Sequence, residues 1–476
     1  MKKIYFDSAW HLSSNLLPFL AGVIFIPLII DAYGKSSFTF ISIAWSAIVF
    51  FVLFDGGIGR ALTFYLSHDR KTSADYSKDQ CLIWTSSATV ATFGAIIIIL
   101  WMFLDNFFFK LFNLKNIAFL NAVIYLVISL LFVTLSTLQK GILEAKQNFK
   151  ISSIMRSIDG LTLFCFPYFF SFIEPSIIVA YTSLLIARIL IFLLYLIILI
   201  RYRLIDFRQV SVSKDALKCI LCFGGWVSVS SFIQPAINLF ERFIALRWIS
   251  SVTFALYLAP FEIISRFSSI ATSISVVLFP SLIRTKIAYQ RRKLIDVGFA
   301  FIFLLVMPPA FIVSTFTSEV LGFWLGSEFA LNAHKPTLVI ASGIVIASFA
   351  YLPFIITQSR GRADLTAKLH FIEVIPVLTA TWFMVRHYGL MGIAYAWLFR
   401  VGLDFILQTL CATYCDKELA PTIVKHALMC MASFVLLTGL GQFDHDWLWF
   451  LTVLTLAGVY LNYLIMVYGQ YKHNFS

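Results

Sequence analysis

The sequence predicts an all-α polytopic membrane protein, and three observations lead to that fold class. Hydrophobic residues make up 60% of the 476 residues and charged residues only 13%, whereas soluble domains are about 45–50% apolar and about 25% charged. The mean hydropathy is +0.89. The apolar residues are gathered in long runs, and a membrane-spanning helix needs about 20 of them. This pattern excludes a soluble enzyme, a disordered chain and a single-pass receptor with a folded ectodomain.

The apolar runs predict about fourteen transmembrane helices. Helices are expected because lipid offers the backbone no hydrogen-bond partner and the runs are too long for barrel strands. The first run follows Met1-Lys2-Lys3 at spanning length with no small-residue cleavage site, so it is predicted to be a transmembrane helix and not a signal peptide. The predicted spans lie at residues 12–30, 38–66, 81–104, 117–139, 153–173, 176–200, 218–240, 252–283, 294–316, 336–358, 367–386, 389–414, 425–442 and 446–468.

The distribution of Lys and Arg predicts the orientation. With the N-terminus inside, 24 of the 36 cations fall in cytoplasmic segments, 7 fall outside and the others lie within spans. Cytoplasmic loops of membrane proteins carry such an excess. We therefore expect a multi-pass membrane protein with both termini in the cytoplasm. The net charge of +12 then faces anionic inner-leaflet lipid, and no nucleic-acid partner is implied.

A weak internal repeat divides the predicted spans. Ser13-Ser14-x-x-x-Pro18 of the first span recurs as Ser230-Ser231-x-x-x-Pro235 of the seventh. Phe54-Asp55 followed by Arg60 in the second span recurs as Phe261-Glu262 followed by Arg266 in the eighth. Repeats between odd-numbered spans keep the same orientation. We expect a six-helix bundle at residues 1–210, a second at 211–415, and two further helices with a short cytoplasmic tail at 416–476.

Charged residues inside a membrane are costly, at about 2.5–3.5 kcal/mol on insertion scales, and so mark candidate functional sites. Arg188 lies at the centre of the sixth span with no acid within a helical turn. It is expected to face a wet cavity, an anionic substrate or an acid on another helix. The candidate acids are Glu262, Asp159 and Asp404.

The other intramembrane arginines each have an acid close by in the sequence. Each couple either neutralises itself or lines a cavity, where the arginine binds substrate and the acid holds it or takes a proton. The couples are Arg156 with Asp159, Arg266 with Glu262, and Arg400 with Asp404. Arg60 and Asp55 flank Gly56, Gly57 and Gly59, which admit close helix approach or a kink.

Glu373, three residues before Pro376 in the eleventh span, has no cation nearby on its own helix. Either it couples transport to a proton or sodium ion, or it pairs with another helix. Glu241 and Arg242 lie at the predicted outer end of the seventh span, where long side chains reach water cheaply. They either snorkel there or form an outer gate.

The sequence predicts no catalytic centre, metal site or bound cofactor. The seven cysteines form no disulfide framework, and Cys219-x-x-Cys222 has no second ligand pair to complete a zinc site. Asp444-His445-Asp446 is predicted to be a solvated turn, and the remaining histidines show no ligand spacing. No phosphate-binding loop of the ATPase type is present.

Two segments resemble a known family. Phe54-Asp55-Gly56-Gly57-Ile58-Gly59-Arg60-Ala61-Leu62 resembles the second-helix segment of Wzx-type O-antigen and capsule flippases. These flippases form the polysaccharide branch of the multidrug/oligosaccharidyl-lipid/polysaccharide (MOP) superfamily. Tyr388-Gly389-Leu390-Met391-Gly392-Ile393-Ala394 is similar to the Tyr-Gly-x-x-Gly-x-Ala segment that these proteins carry at a late helix. Many members are drawn with twelve helices, so fourteen is a departure.

The resemblance implies a flippase, not an enzyme. Such a protein moves an undecaprenyl-pyrophosphate-linked oligosaccharide from the cytoplasmic to the periplasmic leaflet of a bacterial plasma (inner) membrane by alternating access, coupled to H⁺ or Na⁺. Carried over by position, four arginines would line a cationic cavity between the two bundles, namely Arg60, Arg188, Arg266 and Arg400. The acids Asp55, Asp159, Glu262, Glu373 and Asp404 would couple the ion or pair with these arginines. The implied partners are the lipid-linked glycan and the bilayer, with a polysaccharide polymerase and a chain-length regulator as further candidates.

Three alternatives stay open at this point. A lipid II flippase would match the count of fourteen helices. A multidrug exporter of the same fold, acting as a cation antiporter, would use unpaired acids such as Glu373, but the lone Arg188 argues against it. A membrane enzyme such as a polymerase or ligase would be expected to carry a large outer loop, which this chain lacks.

Overall fold

The structure is a computed structural model that describes residues 2–53, 58, 62, 66, 73–112, 117–146, 148–285 and 287–440. Helices dominate these residues, and no β-strand occurs among them, which confirms the all-α prediction. The chain divides into two compact units, Met1–Ala255 and Leu256–Ser476. This division rests on packing and places the seventh predicted span in the first unit. The division at residue 210 rests on the sequence repeat and stays a prediction.

The described part of the first unit is built from helices. They are α1 (Lys2–Leu53), α2 (Ser73–Phe112), α3 (Ile117–Ala145), α4 (Phe149–Ser171), α5 (Ile177–Arg201), α6 (Lys214–Trp248) and the beginning of α7 (Ser251–Ile264). Serines fix two of the helix starts. The side chain of Ser176 accepts a hydrogen bond from the Val179 backbone, and Ser213 does the same for Asp215. Such N-caps satisfy backbone N–H groups that have no partner within the helix.

The second unit holds the remaining helices. A 3₁₀ turn (Ser265–Phe267) joins α7 to α8 (Ser268–Arg284). The following helices are α9 (Ala288–Thr315), α10 (Thr317–Leu325), α11 (Ser327–Asn332), α12 (His334–Phe349), α13 (Tyr351–Ser359), α14 (Ala363–Cys415) and α15 (Ala420–Leu440). Helices α9, α13, α14 and α15 all pack around or beside α12, whose residues are largely buried.

Two of the helices are too long for one crossing. Helix α14 has 53 residues and would extend about 80 Å, against about 30 Å of hydrocarbon. It bends at Gly389, where φ is +55°, and α1 bends likewise at Gly34, where φ is +77°. Only glycine adopts such angles without strain. Gly34 lies between two predicted spans and Gly389 is the first residue of the twelfth, so each bend lies where one predicted span follows another.

Eight helices within the described ranges are long and apolar enough to cross a membrane, which confirms a multi-pass protein. The predicted total of fourteen stays a prediction. The final span, at 446–468, and most of the proposed 416–476 segment lie outside the described residues.

The bend of α14 yields a test of the fold. A Cβ added at Gly392 would overlap the backbone carbonyl of Met384, whereas one added at Gly402 on the same helix meets nothing within 4 Å. We expect Gly392→Ala to destabilise the protein by about 1–3 kcal/mol, because backbone atoms cannot move aside as a side chain can. Thermal unfolding in detergent, followed by tryptophan fluorescence, measures the effect.

Gly402→Ala is the matched control and should leave the melting temperature unchanged or slightly higher, since alanine favours helix. Equal melting temperatures for the two variants would show that the bend at residues 384–392 is not as tight as described.

Candidate functional site

The first unit pairs the central arginine of α5 with an acid of α4. Arg188 is 4% exposed, and its NH1 group forms an ion pair with Oδ1 of Asp159. Of the three acids that the sequence left open, the structure selects Asp159. The side chain of Asp159 is 36% exposed, and Nε of Arg188 has no hydrogen-bond partner among the described residues. The guanidinium of Arg188 is therefore buried, whereas the carboxylate of Asp159 is partly exposed.

Arg156 has a different partner from the one that its spacing suggested. Its NH2 group lies 3.4 Å from Oε1 of Glu144, while Asp159 is engaged by Arg188. Oε1 of Glu144 also accepts a hydrogen bond of 2.9 Å from Ser152 and lies 3.8 Å from Nζ of Lys140. Glu144 on α3 is therefore a partner of Arg156 that the sequence did not suggest, and self-neutralisation of the Arg156–Asp159 couple stays a prediction.

In the second unit, the bend at Gly389 brings three ionisable side chains of α14 together. Nδ1 of His370 lies 3.4 Å from Oε2 of Glu373 and 3.8 Å from Oδ1 of Asp404. The three ligand atoms all lie within 4.8 Å of one another. Glu373 is fully buried at 0% exposure, and Asp404 also accepts a hydrogen bond of 3.2 Å from Gln408. We call His370, Glu373 and Asp404 the α14 cluster.

The α14 cluster corrects two statements drawn from the sequence. Glu373 does have a basic side chain one turn away on its own helix, since His370 is three residues earlier. The histidines were also said to show no ligand spacing, yet His370-x-x-Glu373 places both side chains on one helix face. That spacing was visible in the sequence. A second signal was also present, because Glu373 and Asp404 lie at almost equal distances along the chain from Gly389.

Two further predicted arginines are placed in the second unit. Arg400, one turn before Asp404 on α14, is buried. Arg266 lies in the 3₁₀ turn that interrupts the eighth predicted span, and its Nε donates to the backbone carbonyl of Glu262 over 3.2 Å. Mid-helix 3₁₀ turns often mark hinges. The other predicted site residues, Arg60 and Asp55, lie outside the described residues, as does Asp444-His445-Asp446.

The expectation that Glu241 and Arg242 snorkel to water is wrong, because both side chains are buried. NH1 of Arg242 donates to the backbone carbonyl of Ser42 over 2.8 Å and to its hydroxyl over 2.7 Å. Helix α6 packs on the second arm of α1, which covers the site that was expected to be open. Buried cations of this kind are stable only when they are hydrogen-bonded or paired.

These arrangements suit the binding of ions and charged groups. Arginine offers a planar fork of donors that matches phosphate and stays protonated, so Arg188 can hold an anionic group. The α14 cluster offers one imidazole nitrogen and two carboxylates, which suit a proton or a hard cation. Each of the two sites lies within one unit.

Comparison with known proteins gives a consistent result. Residues 6–286 match the family model described as "Polysaccharide biosynthesis protein". A Shigella flexneri protein named "Putative O-antigen transporter" is 27% identical over 419 residues, which cover 86% of this chain and 98% of that protein.

Among solved structures, the lipid II flippase MurJ in an inward closed conformation aligns with a TM-score of 0.69. The alignment covers 98% of this chain and 99% of MurJ at 15% identity. An inward-facing multidrug resistance MATE family transporter of the MOP superfamily aligns with a TM-score of 0.67 over 90% of this chain and 98% of that one, at 12% identity. These likenesses show a MurJ- and MATE-like fold. The family model covers more than half of the chain, so the protein belongs to the polysaccharide biosynthesis protein family.

Proposed function

We propose that this protein moves an undecaprenyl-pyrophosphate-linked oligosaccharide, an O-antigen or capsule repeat unit, from the cytoplasmic to the periplasmic leaflet. Transport proceeds by alternating access and is coupled to an ion. The bacterial inner membrane is the expected location, and a polymerase and a chain-length regulator are the expected neighbours in the pathway. The family match and the O-antigen transporter relative support this substrate class.

The observation that carries the proposal is the burial of Arg188 near the middle of α5. A pyrophosphate crossing about 30 Å of hydrocarbon needs a cation on its path. In this proposal Asp159 keeps Arg188 charged and oriented between transport cycles, and the substrate pyrophosphate competes with Asp159 for the guanidinium. The partly exposed carboxylate of Asp159 gives that exchange a route. In this proposal Arg266 and Arg400 bind anionic groups of the substrate within the second unit.

The α14 cluster is the proposed coupling site. Two ionised carboxylates within 4.8 Å of each other repel strongly when water is excluded, and a proton or a sodium ion relieves that repulsion. His370 adds a group that exchanges protons near neutral pH. Binding and release of the ion would then change the packing between the two arms of α14, which meet at Gly389.

A lipid II flippase is the second candidate, because MurJ aligns over nearly the whole chain. A multidrug or cation antiporter of the same fold is the third, favoured by the acids of the α14 cluster and by the MATE structures. The accumulated lipid intermediate separates these candidates in a deletion strain. A flippase for surface glycan leaves a lipid-linked single repeat, a lipid II flippase leaves lipid II, and a drug exporter leaves neither.

Arg188→Gln should reduce translocation about 10- to 100-fold, the loss expected when a charge-assisted hydrogen bond worth about 1.5–3 kcal/mol is removed. Surface polysaccharide should fall while the lipid-linked single repeat accumulates, as measured by mass spectrometry of extracted lipids. Arg247→Gln is the matched control, because Arg247 lies in the last turn of α6 in the same unit and is exposed.

A structural role for Arg188 is separated from a transport role by the double variant Arg188→Leu with Asp159→Leu. Replacing both members of a buried pair by apolar side chains is often neutral for folding. We therefore expect normal amounts of folded protein with transport still lost. Restored surface polysaccharide in the double variant would contradict the role of Arg188 in substrate binding.

Glu373→Gln and Asp404→Asn should each abolish the acceleration of transport by an ion gradient and leave substrate binding intact. Proteoliposomes with a pH gradient or a sodium gradient measure the first, and thermal stabilisation by the lipid-linked glycan measures the second. Asp364→Asn, an exposed acid at the start of the same helix, is the control and should behave as the unmodified protein. Full gradient dependence in the Glu373→Gln protein would place the coupling site elsewhere.

A further inference from the structure

The connection between α5 and α6, residues 202–213, has no helix or strand and is nevertheless held in one shape. We call it the α5–α6 connector. The buried side chain of Gln80 on α2 donates to the carbonyl of Leu204 over 3.1 Å and accepts from the N–H of Asp206 over 2.9 Å. A second hydrogen bond, of 3.2 Å, runs from Trp84 Nε1 to the carbonyl of Asp206. Side chains of α2 thus hold the connector in place through hydrogen bonds to its backbone.

This anchoring turns some apolar side chains inward and leaves others outside. Leu204 and Ile205 pack against the core of the first unit. Four others remain between 51% and 65% exposed, namely Tyr202, Phe207, Val210 and Val212. The ring of Phe207 packs against the ring of Trp84, with 5.3 Å between the ring centroids. The connector therefore presents a fixed apolar surface that the first unit does not cover.

Cations surround this apolar surface. Five of them lie in or beside the connector, all exposed, namely Arg201, Arg203, Arg208, Lys214 and Lys218. The nearby acids are Asp206 and Asp215. Oδ1 of Asp206 is engaged within the connector by the backbone N–H of Arg208 at 2.8 Å. The surface as a whole is therefore apolar and positively charged.

We propose that the α5–α6 connector is a membrane-docking surface that binds anionic phospholipid headgroups of the inner leaflet. Its position favours lipid as the occupant, because it joins the end of one predicted span to the start of the next and so lies at the membrane surface. The Lys and Arg asymmetry of the chain predicts that this surface is the cytoplasmic one. Aromatic and apolar side chains insert at the headgroup boundary, while cations bind anionic lipid. This inference does not depend on the transported substrate.

The connection between α4 and α5 provides an internal control. Phe172 and Ile173 are 72% and 76% exposed, so this loop is apolar like the connector. Its charged residue is Glu174, and residues 172–176 contain no Lys or Arg. It lies on the side predicted to face outward. It should touch the bilayer without discriminating between neutral and anionic lipid.

Hydrogen–deuterium exchange of the full-length protein tests the proposal. The protein is placed in nanodiscs of phosphatidylcholine alone or of phosphatidylcholine mixed with phosphatidylglycerol. We expect amides of residues 207–212 to exchange several-fold more slowly in the anionic nanodiscs, and high salt to remove the difference because it screens these charges. Peptides covering residues 172–176 should exchange equally in both.

Charge variants complete the test. Arg203→Gln with Arg208→Gln should abolish the difference between the two lipids, whereas Lys368→Gln with Lys417→Gln, which removes two exposed cations elsewhere, should retain it. Equal exchange of residues 207–212 in both lipids would overturn the proposal. Protection seen only in native membranes and not in pure lipid would also overturn it, because that result indicates a protein partner.

Discussion

The hydrocarbon core of a membrane cannot solvate a charge, and this constraint determines where the charged side chains of the protein lie. Arg188 is held by Asp159, Arg156 by Glu144 and Arg242 by two oxygens of Ser42. In each case a cation of one helix meets an oxygen of another, so the same contacts that make a charge tolerable also fix how the helices pack. Removing one partner of such a contact leaves the other as an uncompensated charge in a buried site, which is destabilising. Charges placed for function therefore also specify the packing of the helices.

The same constraint shapes the ends of the helices in the second unit. Asp416, just after α14, is buried and binds Arg360 and, at 3.2 Å, NH1 of Arg291. Arg291 also forms an ion pair of 2.7 Å with Glu418. This ion network ties together the start of α9, the turn before α14 and the turn before α15. Within this unit the α14 cluster lies on a helix whose end is fixed by this network.

Hydropathy predicted the all-α membrane fold class, because the length and apolarity of the helices depend on the solvent and not on neighbouring residues. The bends at Gly34 and Gly389 were not predicted. The partners of the buried charges were harder to predict. Three acids were compatible with Arg188, and only the packing of α4 on α5 selects Asp159. His370 was overlooked although its spacing from Glu373 was visible, and the burial of Arg242 depends on α1, which is distant in sequence.

The central claim is that Arg188, which is paired with Asp159 in the first unit, binds the anionic group of a lipid-linked glycan during transport. Reconstitution tests it most directly, with purified protein in vesicles that contain undecaprenyl-pyrophosphate-linked oligosaccharide and an enzyme added outside that modifies only outward-facing sugar. We predict that vesicles with the protein expose inward-facing glycan much faster than protein-free vesicles, and that the Arg188→Leu, Asp159→Leu protein does not. Equal rates with and without protein, under either a proton or a sodium gradient, would contradict the account.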